Sequence, residues 1–156
     1  YMLEKENIDE SMLLMVANKL YEPSYVSLES ALAYYHIIPE TVFGVTSVSS
    51  RKTTKFESEL GIFRYKSIHS KLFFGYEVIN TEGKLKYKMA SLEKAILDYL
   101  YLHAEINSIE NFEMLRWNIE QLEPIINVKK LENFLLLFDK ITLKKRAHLL
   151  MEYIHA

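Results

Sequence analysis

The apolar residues of this chain change their spacing twice. Up to about residue 40, and again from about residue 91, they return every three or four positions, while between these points they largely alternate with polar residues. A helix brings a side chain back to the same face every 3.6 residues and a strand every two, so the pattern demands helices at both ends and a sheet between them. The expected fold class is α+β, with a mainly antiparallel central sheet flanked by N-terminal helices and a C-terminal helical bundle.

The helical ends carry recognisable start and stop signals. Asp9 is placed to cap a helix on which Met12, Leu13, Val16 and Leu20 share a face, with Pro23 just beyond it. Ser27 can cap a second helix over 28–36, which Pro39 stops. After the sheet, Ser91 caps a helix whose stripe is Leu92, Ala95, Ile96, Tyr99 and Leu100. Further helices are expected near 109–122, 128–138 (Val128, Leu131, Leu135, Phe138) and 142–155, the last capped by Thr142 with Leu143, Ala147, Leu150, Met151 and Ile154 inward.

In the middle, the β-branched run 41–50 reads as a strand, and 54–58 and 62–66 flank Glu59-Leu60-Gly61 as a hairpin with Gly61 at the tight position. A second hairpin turns at 80–83, after which Leu85, Tyr87 and Met89 alternate with Lys84, Lys86 and Lys88. The 156 residues are about half hydrophobic and include only four Gly and three Pro, so 1–156 is read as one domain with 105–156 as its helical tail.

Charge is nearly balanced overall, nineteen Lys and Arg against twenty-one Asp and Glu, but unevenly spread. Residues 1–30 hold two cations and six acids, whereas 51–88 hold nine cations and four acids, a local excess of +5. Any case for a polyanionic partner rests on that island. Arg51, Lys52 and Lys55 are interleaved with Thr53 and Thr54, and Arg64 and Lys66 lie on the paired strand, two residues apart and so on one face. Hydroxyls beside Arg and Lys suit phosphate oxygens, contacts that position nucleic acid without reading its sequence. The candidate nucleic-acid-binding set is Arg51, Lys52, Thr53, Lys55, Arg64, Lys66 and Lys71, with Phe56, Phe63 and Tyr65 assigned to the core. A solvated basic sheet face on a structural or protein-interaction domain is the competing reading.

Chemistry has few anchors in this sequence. The histidines, His36, His69, His103, His148 and His155, form no i, i+4 pair, and there is no cysteine, glycine-rich phosphate loop or nucleophile elbow. Glu82-Gly83-Lys84 has the acid-x-Lys spacing of a restriction-type metal nuclease, with Glu57, Glu59 or Glu77 upstream, but Gly83 falls where the hairpin should turn, so a solvated turn is the better reading. No enzymatic activity, cofactor or metal is expected. The absence of cysteine suits a reducing cytoplasm, and no apolar run reaches the roughly 18 residues of a membrane span, so a soluble cytoplasmic protein without membrane contact is expected.

Four blocks carry a resemblance to a known family. "VANKLYEPSYVSLESALAYYHIIPE" (16–40), "VTSVSSRKTTKFESELGIFRYKSI" (45–68), "KLFFGYE" (71–77) and "MASLEKAILDYLYL" (89–102) resemble, in that order, the main body of AbiEi-type antitoxins. These are the antitoxin and autorepressor halves of type IV toxin–antitoxin systems of abortive infection, a phage defence. The resemblance implies a C-terminal antitoxin domain that supports DNA binding, with an upstream winged helix-turn-helix reading the operator. It also implies a nucleotidyltransferase-type toxin as functional partner, whose neutralisation need not involve stable contact. No recognition-helix pattern precedes residue 8, and Tyr1-Met2-Leu3 reads as the end of a wing strand. The chain is therefore expected to be part of a longer protein.

Overall fold

The structure, a computed structural model, describes residues 9–39 and 43–156. Tyr1-Met2-Leu3 and the first two residues of the expected strand, Thr41 and Val42, lie outside them. Asp9 caps α1 (Glu10–Leu20), its Oδ1 accepting the Met12 N–H at 2.9 Å. There follow β1 (Ser24–Val26), α2 (Leu28–Tyr34), β2 (Gly44–Ser49), β3 (Thr54–Ser58), β4 (Gly61–Ser67), a 3-10 turn (Ser70–Leu72), β5 (Tyr76–Asn80) and β6 (Lys86–Ala90). The chain then turns helical through α3 (Leu92–Leu102), α4 (Ile109–Leu115), α5 (Ile119–Ile125), α6 (Val128–Phe138) and α7 (Ile141–Ile154).

The fold is α+β, and its six strands form one sheet in the order β3-β4-β2-β1-β6-β5. Pairs β3/β4, β1/β2 and β5/β6 are antiparallel, while β2/β4 and β1/β6 are parallel, so the sheet is mixed. The two hairpins form the outer parts, and β1 and β2 meet at the centre. Gly44 and Gly61 open β2 and β4 side by side at φ 124° and 129°. A Cβ on Gly44 would lie 1.9 Å from the Ile62 carbonyl oxygen, an approach only glycine permits.

Register sorts the side chains onto two faces. Val26, Val45, Phe63, Tyr65, Tyr87 and Met89 are buried on the face that α1 covers, where the Tyr65 hydroxyl donates to the Ala17 carbonyl. Tyr25 and Val48 point to the other face, where α2 and α3 pack. Helices α6 and α7 pack on α3, α4 and α5 pack on α7, and the buried residues form one cluster from Leu14 to Ile154.

Several local expectations shift. The buried residues of α1 are Leu14 and Ala17, with Leu13 and Val16 partly covered and Leu20 45% exposed, because the helix approaches the sheet through the small Ala17. The expected helix 109–122 is two helices: Arg116 ends α4 in the left-handed region (φ 57°), and Trp117 turns its ring edge-on to Tyr99 at 5.5 Å. Thr142 lies inside α7, whose N-cap position is held by Lys140 without a side-chain cap, although all five residues expected to face inward are buried. Lys84 belongs to the β5–β6 turn at φ 65° instead of continuing the lysine row. No helix of the described residues is long and apolar enough to cross a membrane.

Candidate functional site

Strand β4 sets the geometry of the basic island. Its burial alternates strictly from Phe63 to Lys66: Phe63 and Tyr65 go under α1, and Arg64 and Lys66 emerge on the opposite face. Lys55 of β3 is the cross-strand partner of Arg64, and Thr46 of β2 is its partner on the other side, so Thr46, Arg64 and Lys55 form one row. Lys55 pairs with Glu57, 3.4 Å away, and both side chains are more than half exposed, a pairing of little energetic weight. Arg64 and Lys66 have no hydrogen bond or ion pair among the described residues.

These two cations line a cleft of about 250 Å³ together with Leu28, Glu29, Thr46 and His103. Its back wall is stapled: Thr46 Oγ1 donates to the Ser27 carbonyl at 2.7 Å and accepts the Ser30 N–H at 2.9 Å, while the Thr46 N–H donates to Ser30 Oγ at 2.8 Å. Thr46 thus caps α2 from a neighbouring strand, the role expected of Ser27, whose hydroxyl points inward instead. Leu28 follows at φ 60°, a left-handed conformation that costs a leucine about 1–2 kcal/mol. In the same cleft, the His103 ring stacks on Tyr99 at 4.1 Å, and its Nδ1 donates to the Tyr99 carbonyl at 2.8 Å. Burial, then the carboxylates of Glu29 and Glu105, push the Tyr99 hydroxyl up.

The remaining members of the expected set lie elsewhere. Arg51 turns to the α1 side, its guanidinium carbon 4.2 Å above the centre of the Tyr21 ring and its Nη1 donating to the Glu22 carbonyl at 3.1 Å. Lys52 offers its carbonyl to the Tyr21 hydroxyl and exposes its side chain. Thr53 Oγ1 accepts the Ser67 N–H at 3.0 Å, completing the β3–β4 ladder. Lys71 sits on the 3-10 turn beside a second cleft, with His69, Tyr101, Asp139 and Lys140. One face therefore gathers Lys55, Arg64 and Lys66, and Arg51 is not part of it.

No family model and no curated protein matches this chain. Glu82, Gly83 and Lys84 occupy the turn between β5 and β6, and among the described residues no three His, Asp or Glu side chains converge as a metal site would require.

Sequence reasoning missed a second polar cluster, under the sheet. Lys94 Nζ donates to Asp98 Oδ1 at 2.6 Å, to the Tyr25 hydroxyl at 2.7 Å and to the Leu72 carbonyl at 2.8 Å, which uses all three of its protons. Asp98 Oδ2 accepts the hydroxyls of Tyr25 and Ser27, both at 2.9 Å. The Phe74 and Phe138 rings stand 4.7 and 5.1 Å from the ammonium, and a Cβ on Gly75 (φ 78°) would lie 2.8 Å from Lys94 Cγ. Burial pulls Lys94 down and pushes Asp98 up, while each holds the other's charge against that pull. The hydrogen-bond count suits the ion pair. Neither residue lines any of the clefts described, so the cluster joins β1, the 3-10 turn and α3 without reaching solvent. Beside it, buried Glu93 accepts the Asn127 N–H at 2.8 Å at the start of α6. The available signal was the unlike pair Lys94 and Asp98, one turn apart in a helix whose other residues, Glu93 apart, are apolar or aromatic.

Proposed function

We propose that this chain is the antitoxin and autoregulatory domain of a type IV toxin–antitoxin system of the AbiEi kind, acting against a nucleotidyltransferase-type toxin in the cytoplasm. Its contribution to DNA binding is a sequence-independent contact with phosphates, made by Lys55, Arg64 and Lys66. The observation that carries the DNA-binding part is the pair of exposed cations Arg64 and Lys66, without an ion-pair partner among the described residues, with Lys55 alongside. The antitoxin part rests on the four ordered blocks of resemblance.

The test is operator binding by the full-length protein across a salt series, with and without Lys55→Gln, Arg64→Gln and Lys66→Gln together. Each phosphate contact contributes about 0.9 to the slope of log affinity against log salt, so the triple variant should bind more weakly with a shallower slope. The chain alone should bind duplex DNA with a Kd on the order of 10⁻⁴ to 10⁻⁶ M at physiological salt. A folded triple variant with wild-type slope, repression and protection against the toxin would sink the DNA reading. A protein-contact role is the competing reading, favoured by Leu136, Leu137 and Ile141, which stand 73%, 62% and 72% exposed about the α6–α7 turn.

A further inference from the structure

We propose that the cleft between β4, the first turn of α2 and the last turn of α3 binds a single nucleotide by its phosphate, whether free or at an unpaired position of a strand. This inference rests on the reading of the β3–β4 face as a polyanion surface, and it names what enters the cleft beside that face.

Five observations lead there. The volume, about 250 Å³, is far too small for a duplex and lies just under the range of small-molecule clefts. Arg64 and Lys66 supply two cations from one wall, and a guanidinium matches phosphate oxygens two at a time. Glu29 lines the same cleft and, as a carboxylate, only accepts hydrogen bonds. A bare anion would engage the two cations and leave Glu29 without a donor; a ligand with an anionic end and a donor-rich end, such as the hydroxyls and amino group of a nucleotide, would satisfy both. His103 adds a flat wall whose Nδ1 is already committed to Tyr99, leaving Nε2 for a ligand. The wall is built before any ligand arrives, since Thr46 is bonded to both Ser27 and Ser30, which flank Leu28 at φ 60°.

The experiment is a backbone and side-chain NMR titration of the chain with adenosine 5′-monophosphate, inorganic phosphate, adenosine, a single-stranded oligonucleotide and a duplex. Saturable shifts at Leu28, Arg64, Lys66 and His103 with the monophosphate are expected, and phosphate or adenosine alone should bind at least about tenfold more weakly. Arg64→Gln or Lys66→Gln should each weaken the monophosphate about ten- to a hundredfold, the loss of one charge-assisted hydrogen bond, with an unchanged unfolding midpoint. Glu29→Gln should weaken the monophosphate but not inorganic phosphate. Tighter binding of the single strand than of the monophosphate assigns the site to strands, and the reverse to free nucleotides; either supports the inference. If the duplex binds through Lys55, Arg64 and Lys66 while neither monophosphate nor single strand perturbs Leu28 and His103, the cleft inference fails and the DNA reading stands. If the monophosphate binds in the cleft and no duplex binds, the cleft survives and the DNA reading falls. Equal monophosphate affinity in wild type and both cation variants overturns the cleft.

Discussion

Lys94 and Asp98, one turn apart on α3, meet at 2.6 Å with neither side chain exposed. Removing two charges from water costs several kcal/mol per ion, which their attraction offsets only because all three ammonium protons are used and both carboxylate oxygens accept hydrogen bonds. Asp98→Ala strands a buried ammonium and should cost about 3–5 kcal/mol in urea unfolding. Lys94→Met with Asp98→Leu should recover most of that loss. A double variant as unstable as the sum of its single variants would show that the two residues do not act as a pair.

Ile96 is wholly buried in the centre of α3. Ile96→Ala leaves a cavity and should cost about 2–5 kcal/mol. A loss below about half a kcal/mol would mean that the helix presents a different face to the core.

Arg51 and Arg64 belong to the same sequence island but point to opposite sides of the sheet, and their variants should separate. Arg51→Ala removes an exposed contact with the Tyr21 ring and should cost about 0.5–1 kcal/mol of stability, leaving the salt dependence of DNA binding unchanged. Arg64→Ala should leave stability within about 0.5 kcal/mol and lower the salt slope. Thermal unfolding and binding at three salt concentrations, run on both variants, decide the matter.

Burial pushes the hydroxyls of Tyr65 and Tyr87 up to about 12. A folded value raised above the unfolded one, near 10, gives a contribution that is complete below pH 10 and is lost as pH climbs through 12. Unfolding free energy should therefore decline between pH 10 and 12, by at most about 1.4 kcal/mol per pH unit for each tyrosine. Tyr65→Phe should flatten that decline. A profile equally steep in the variant would remove Tyr65 from the account.

What was legible in the sequence was local. The Asp9 and Ser91 caps, the turn before Gly61 and the inward stripe of α7 depend on residues a few positions apart, and each is found in the structure. What was not legible depends on which distant element covers which side. Lys94 and Asp98 fall outside the stripe read for α3, yet the packing of the sheet, α2, α6 and α7 about that helix buries both. Ser27 has the right identity and position for a cap, but a buried carboxylate without hydrogen bonds costs more than a missing cap, so its hydroxyl goes to Asp98 and Thr46 caps instead. The charge island was visible; that Arg51 would fold back onto Tyr21 was not, because the residues between β2 and β3 obey no strand alternation.

The strand order has a consequence for how the molecule assembles. Each outer hairpin can zip from its own turn, but the centre closes only when residues such as Val26 and Met89, 63 positions apart, come together. Long loops are closed late because their entropy is lost before any contact rewards it. Tyr25, in three-residue β1, joins the buried pair only at that stage. Interactions formed after the rate-limiting step govern escape from the native state and hardly touch its formation. Tyr25→Phe should therefore shorten the lifetime of the folded chain in stopped-flow unfolding while leaving the refolding rate nearly unchanged, so that a side chain at the sheet's centre acts as the latch of a structure built from its edges.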